Sequence, residues 1–140
     1  MSLTVLVVDD SCVVRQQAAI ALRAAGYQVL QASDGAEAIL ALENHKQVDL
    51  VLCDVNMPNV SGLEFLERIR SCPERHGLPV LMVTTSSQQS LVERARQAGA
   101  AGWVVKPFKS PGLLSAVNRI LHEETSVTRT VGGPIATRLP

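Results

Sequence analysis

Five short apolar runs, separated by stretches with helical spacing, constrain the fold of this chain more than any other feature. The run at residues 50–53 is the clearest, because it is too short for a helix and is apolar on both faces. Strands of a parallel sheet that is covered on both sides have this pattern. The same argument predicts strands at residues 3–8, 27–32, 80–83 and 103–105, and the less apolar run 27–32 is expected near a sheet edge.

Between these runs, apolar residues recur at the three- and four-residue spacing of amphipathic helices. Gly26 can end the first helix in the left-handed conformation, and Pro111 suits the first turn of the last one. Alternation of strand and helix predicts an α/β fold: a doubly wound, five-stranded parallel sheet with five helices on its two faces. The predicted helices span residues 12–25, 36–42, 63–69, 88–98 and 111–121.

The chain length of 140 residues suits a single domain. The periodic pattern stops near residue 123, and scattered Thr, Arg, Gly and Pro residues follow it. We therefore predict a domain over residues 1–123, and a flexible tail or an interdomain linker over residues 124–140.

The charge balance bears on partners, because 13 basic and 13 acidic residues leave a formal net charge of zero. Without an overall positive field, this chain is not expected to bind nucleic acid or an anionic membrane. No apolar run approaches the length of a membrane span, and the N-terminus has no export signal. The three Cys residues lack the spacing of a disulfide framework, so a reduced, cytoplasmic setting is predicted.

Polar residues end four of the predicted strands. Because the strands of a parallel sheet all run the same way, these residues gather at the carboxyl edge, where all the strands end. Each alone is most simply a turn former or a solvated charge. Together, three acids so close would repel one another unless a cation lay among them, and oxygen ligands at a half-open site suit Mg²⁺. A metal ion, a Lys and a Thr around one carboxylate can stabilise a phosphoryl group. The residues are Asp9, Asp10, Asp54, Thr84 and Lys106.

The sequence resembles the receiver domains of two-component response regulators, especially the single-domain regulators of chemotaxis. The resemblance covers residues 3–122 and implies the flavodoxin-like version of the predicted fold. Its motifs are individually short, but they occur together, in order and at strand ends. They are Asp9-Asp10, residues 54–59, Ser61-Gly62, residues 82–84 and residues 104–108, with residues 98–100 and Gly102 also matching.

This resemblance implies a phosphorylation switch. Asp54 would accept a phosphoryl group from a phosphohistidine of a sensor histidine kinase or phosphotransfer protein. Mg²⁺ would be bound by the carboxylates of Asp10 and Asp54 and by the backbone carbonyl of Asn56, with Asp9 acting largely through bound water. Lys106 would pair with Asp54 before phosphorylation and with a phosphate oxygen after it.

The resemblance also implies how the signal is passed on. The Lys106-Pro107 peptide bond would be cis, which aims the Lys inward. Thr84 would turn toward the phosphate and leave room for the ring of Trp103 to swing inward. The face of the fourth helix, fifth strand and fifth helix would then change its protein partner. Self-phosphorylation and autodephosphorylation would be the only catalytic activities, so the protein would be a switch rather than a metabolic enzyme.

One position, Trp103, departs from the family pattern, and another, Ser86, leaves the lifetime of the acyl phosphate open. Trp103 stands where the family usually has a smaller ring, and its indole N–H needs a partner when buried. From the sequence alone, Trp103 is most simply a partly exposed aromatic residue. Ser86 and Asn56 occupy positions that help set the lifetime of the acyl phosphate, and Ser86 predicts neither a long nor a short one.

Two other functions fit the predicted fold less well. A magnesium-dependent phosphatase of the haloacid-dehalogenase type also uses an aspartyl nucleophile, but it usually has a second Asp two residues later, where this chain has Asn56. Its cap domain would not fit in this length. A flavodoxin-like cofactor carrier needs a Ser/Thr-rich phosphate loop where Asp9-Asp10 stand, and aromatic residues are only 3% of the chain.

Overall fold

The computed structural model describes residues 2–45, 47–57, 60–85 and 89–123. The predicted tail over residues 124–140 lies outside the described residues, as do Ser86 and the end of one family motif, Pro58-Asn59. Among the described residues, no helix combines the length and the apolar character that crossing a membrane requires.

The described residues form one parallel sheet, and all the predicted strands are present. They are β1 (Thr4–Val8), β2 (Gln28–Ala32), β3 (Leu50–Asp54), β4 (Val80–Thr84) and β5 (Gly102–Val105). The strand order is β2-β1-β3-β4-β5, so β2 lies at an edge as predicted. The strands β3 and β4 each extend one residue further than predicted, because Asp54 and Thr84 still belong to the sheet.

The predicted helices are also confirmed within a few residues at each end. They are α1 (Cys12–Ala24), α2 (Gly35–Asn44), α3 (Gly62–Ser71), α4 (Gln89–Gln97) and α5 (Ser110–Asn118). Gly26 follows α1 with a φ angle of +98°, the left-handed conformation expected there. The last helix differs from the prediction, because α5 ends at Asn118 and a π-helical turn, Arg119–Glu123, replaces its final turn.

Helices cover both faces of the sheet and divide the core into two clusters. On one face, α1 and α5 pack against strand residues such as Val5 and Val7. On the other face, α2, α3 and α4 pack against their alternating neighbours Leu6 and Val8. The strand order reverses between β1 and β3, and in open α/β sheets the crevice at such a point is where ligands bind. The fold therefore directs attention to the carboxyl ends of β1 and β3.

Candidate functional site

Three carboxylates meet at the carboxyl edge of the sheet. One oxygen each of Asp9, Asp10 and Asp54 lies within 4.8 Å of the others. The parallel register sets Val8 beside Cys53, which brings the residues that follow them together. Asp9 and Asp54 are only 2% and 4% exposed, whereas Asp10 is open to solvent. The site therefore has two buried acids and one accessible acid.

The two buried carboxylates are held by the backbone of the loops that follow them. The Ser11 amide donates to Asp9 Oδ1 at 2.9 Å, and the Asp9 amide donates to the Ala32 carbonyl at 3.1 Å. The Asn56 amide donates to Asp54 Oδ1 at 3.3 Å. Both acids are thus directed into the site by short turns, a common use of Asp after a strand.

Gly62 lets α3 begin directly against the end of β3. A Cβ atom at this position would lie 2.2 Å from the backbone oxygen of Asp54. The Gly62 amide donates to the Val55 carbonyl at 2.9 Å. Any side chain here would push α3 away from β3, so the glycine fixes the wall of the site behind Asp54.

Lys106 supplies the positive charge among the acids. Its Nζ atom lies 2.9 Å from Asp9 Oδ2 and 3.5 Å from Asp54 Oδ1. The family resemblance implied an ion pair between Lys106 and Asp54, and the structure adds a shorter ion pair between Lys106 and Asp9. The peptide bond between Lys106 and Pro107 is cis.

The charges at this edge shift one another's protonation. Burial, followed by repulsion from Asp9, raises the pKa of Asp54 to about 6, although Lys106 counteracts the shift. Burial alone would lower the pKa of Lys106, but its hydrogen bond to Asp9 and the charges of both acids raise it overall. The raised pKa of Asp54 thus reflects a buried setting in which a second acid adds repulsion that Lys106 does not fully offset.

The donor set suits a hard divalent cation. The three acids offer only carboxylate oxygens as ligands, and the exposed Asp10 leaves the cluster open to water on one side. A divalent ion would also relieve the repulsion that raises the pKa of Asp54. The Asp cluster can therefore hold a metal ion, with Asn56 in the adjoining loop.

Thr84 ends β4 and Trp103 lies near the start of β5, on the two strands that follow β3 in the sheet. Thr84 is fully buried as the last residue of β4, and its carbonyl accepts a hydrogen bond from the Lys106 amide at 2.7 Å. Trp103 is 8% exposed, so the expectation of a partly exposed aromatic residue was wrong. It lies opposite Met82 in the sheet and packs in the cluster beneath α3 and α4. Among the described residues, its Nε1 atom is buried without a hydrogen-bond partner.

Arg15 is a residue of this edge that the sequence did not single out. It lies in the first turn of α1, and its Nη1 atom donates to the backbone carbonyl of Asp9 at 2.7 Å. The only signal in the sequence was a basic residue one helical turn beyond Asp9-Asp10, and a surface arginine gives the same signal.

A family profile and a curated relative both match most of this chain. The family profile described as "Response regulator receiver domain" matches residues 5–118. Transcriptional regulatory protein PdtaR of Mycobacterium tuberculosis is 37% identical over 134 residues, which cover 95% of this chain and 63% of PdtaR. The chain therefore spans less than two thirds of the length of that relative.

Two solved structures are similar to the whole described fold. One is chemotaxis protein CheY4 of Vibrio cholerae, with 37% identity and a TM-score of 0.83, covering 86% of this chain and 100% of that one. The other is the CheX-CheY-BeF3-Mg complex from Borrelia burgdorferi, with 28% identity and a TM-score of 0.80, covering 84% of this chain and 88% of that one.

Proposed function

The chain belongs to the response regulator receiver family, and on this premise we propose that it is a phosphorylation switch with Asp54 as phosphoacceptor. One observation carries the proposal. A buried carboxylate at the end of a central strand has an ammonium group 3.5 Å away and two further acids within metal-sharing distance. A structural turn residue has no need of such a setting.

The reaction follows from the position of Asp54. An ionised Asp54 oxygen would attack the phosphorus atom of a phosphohistidine, forming an O–P bond as the P–N bond breaks and the imidazole leaves. The pKa of about 6 leaves this carboxylate largely ionised at neutral pH. Lys106 would then move its ammonium group from the acids to a phosphoryl oxygen, and Thr84 would donate its hydroxyl to another.

We propose Mg²⁺ as the metal ion of this site. The carboxylates of Asp10 and Asp54 and the backbone carbonyl of Asn56 would hold it, with Asp9 acting through water. When bound, the ion would neutralise the acids and the charge that develops on the transferring oxygens. The oxygen-only donor set supports this choice, as does the presence of Mg²⁺ in the Borrelia CheY complex.

The switch would act through the side of the sheet next to the site. A phosphoryl group adds roughly −1.5 to −2 charge units and three acceptor oxygens. Movement of Thr84 and Lys106 would alter the packing around Trp103, and with it the face of α4, β5 and α5. On β5, Val105 is an apolar residue that is 44% exposed, which suits a docking face for a protein target.

The proposed partners are proteins on both sides of the signal. A sensor histidine kinase or a phosphotransfer protein would donate the phosphoryl group in the cytoplasm, and a downstream protein would bind the α4-β5-α5 face. The complex of Borrelia CheY with CheX supports a protein partner in general. The receiver domain would be residues 1–123, with residues 124–140 as a tail or linker. Self-phosphorylation and autodephosphorylation would be its only catalytic activities.

Acetyl phosphate provides a test that needs no kinase. With Mg²⁺, the intact protein should gain the mass of one phosphoryl group, and Asp54→Asn should gain none. Asp34→Asn is the matched control, because Asp34 caps α2 and Asn caps a helix equally well. A label that persists in Asp54→Asn would overturn the assignment, and steady turnover of a phosphate ester would favour the phosphatase alternative.

A further inference from the structure

Arg15 contacts the acidic loop through its backbone and not through a carboxylate. The loop between β1 and α1 is Asp9, Asp10 and Ser11. The guanidinium of the half-buried Arg15 donates through Nη1 to the carbonyl oxygen of Asp9 at 2.7 Å. This oxygen belongs to the peptide group that joins Asp9 to Asp10. The contact therefore holds the orientation of that peptide plane, which sets the direction of the Asp10 side chain.

Asp10 depends on its backbone more than the other two acids do. The carboxylate of Asp9 accepts from the Ser11 amide and from Lys106. The carboxylate of Asp54 accepts from the Asn56 amide. Within the described residues, the carboxylate of Asp10 has no hydrogen bond or ion pair of its own. Its direction is therefore set by the loop peptide that Arg15 holds.

An anchored carboxylate on α2 lies within electrostatic range of the Arg15 guanidinium. Hydrogen bonds from Ser33 lower the pKa of Glu37, and the nearby positive charge of Arg15 lowers it further. The Ser33 amide fixes this carboxylate with a hydrogen bond of 2.7 Å to Oε1. Glu37, in the first turn of α2, is thus an anchored negative charge near the guanidinium, while Arg15 donates to the carbonyl of Asp9.

We propose that Arg15 is a positioning residue for metal binding, which orients the Asp9–Asp10 peptide so that Asp10 faces the ion. The proposal rests on the proposed function, because it assumes that the acidic cluster binds Mg²⁺. It also predicts a change in Mg²⁺ affinity opposite to the one that charge alone would give. Removing a cation beside three acids should strengthen Mg²⁺ binding by simple electrostatics. If Arg15 acts by positioning, its removal should weaken binding instead.

Calorimetric titration of the unphosphorylated full chain with MgCl2 tests the sign directly. Arg15→Ala should bind Mg²⁺ roughly tenfold more weakly than the wild type, the loss typical of groups that orient a ligand. Arg15→Lys, which keeps a donor and the charge, should fall between them. Arg23→Ala is the matched control, because Arg23 lies on the same helix but, among the described residues, its side chain makes only an exposed hydrogen bond of 3.5 Å to the Val29 carbonyl.

A kinetic measurement separates positioning from a general loss of structure. With acetyl phosphate, Arg15→Ala should need about tenfold more Mg²⁺ for half-maximal phosphorylation, yet reach the wild-type rate at saturation. Arg15→Ala that binds Mg²⁺ as tightly as the wild type, or more tightly, would overturn the inference and leave the proposed function standing. A wild type that binds no Mg²⁺ would overturn the proposed function and the inference with it.

Discussion

The carboxyl ends of the strands (the carboxyl edge) and their amino ends (the amino edge) differ in how their charged side chains are paired. Where the strands end, the two buried acids Asp9 and Asp54 share one ammonium group beside a third acid, and the pKa of Asp54 is raised to about 6 by burial and by Asp9. At the amino edge, where the strands begin, two charged side chains, Asp49 and Arg70, are bonded to backbone groups. Asp49 Oδ2 accepts from the Thr4 amide at 2.8 Å, and Arg70 donates to the carbonyls of Leu78 and Gly99, both at 2.7 Å.

This difference separates the requirements of stability from those of function. A charge that is hydrogen-bonded to backbone groups fixes the segments before the strands and stabilises the fold. Acids that repel one another destabilise the metal-free protein, and under the proposed function they would create the affinity for a cation that phosphoryl transfer uses. The side chains where the strands begin therefore stabilise the fold, whereas the repulsion among the acids where the strands end would be relieved by a bound cation.

Loss of Lys106 should have the largest effect, and it should affect both properties. Lys106→Ala leaves Asp9 and Asp54 buried without their cation, which should cost about 3 kcal/mol of unfolding free energy at neutral pH without metal. Phosphorylation by acetyl phosphate should slow roughly 100-fold, since a charged group on the phosphoryl oxygens is lost. Urea unfolding and intact-mass kinetics measure the two effects. Lys109→Ala, an exposed change three residues away, should alter neither.

Loss of Arg70 should affect stability alone. Arg70→Ala removes the donors to Leu78 and Gly99, which precede β4 and β5, and should cost about 2 kcal/mol. Urea unfolding measures this cost against Arg68→Ala, an exposed arginine on the same helix. The phosphorylation rate of folded Arg70→Ala should equal that of the wild type. A large loss of rate would show that the two edges are not separate.

Asp54→Asn should stabilise the metal-free protein, and the gain should depend on pH. The pKa of Asp54 is about 6 in the folded state against an ordinary value of 3.8. The protonated Asp54 side chain therefore contributes fully to the free energy of unfolding below pH 3.8, and this contribution is lost as the pH rises through 6. Asn does not titrate, so the variant should gain little near pH 4 and about 2 kcal/mol at pH 7.5. Urea unfolding in EDTA at both pH values tests this. A gain that is the same at both would contradict the comparison of the edges.

Much of the fold was predictable because its determinants are local. The buried run before Asp54 and the helical stripe after Asp10 are patterns within one segment, and the structure has β3 and α1 where those patterns predicted them. The end of α5 was not predictable in the same way. Leu121 continues the apolar spacing, yet a π-helical turn begins at Arg119.

The sequence was enough to predict which residues form the site, but not which of them contact one another. Asp9, Asp54 and Lys106 each end an apolar run, and the parallel sheet brings them together. That Lys106 lies closer to Asp9 than to Asp54 depends on distances across β3 and β4, which no local pattern encodes. The same is true of Trp103, whose burial depends on how α3 and α4 pack over β5.

Chemical trapping of the phosphorylated residue tests the central claim most directly. The wild-type protein is phosphorylated with acetyl phosphate and Mg²⁺ and is then reduced with borohydride, which converts an aspartyl phosphate to homoserine. Peptide mass spectrometry should find homoserine at position 54 and intact aspartate at positions 9 and 10. Homoserine at position 9 or 10, or a phosphoryl group that resists borohydride on another side chain, would contradict the account.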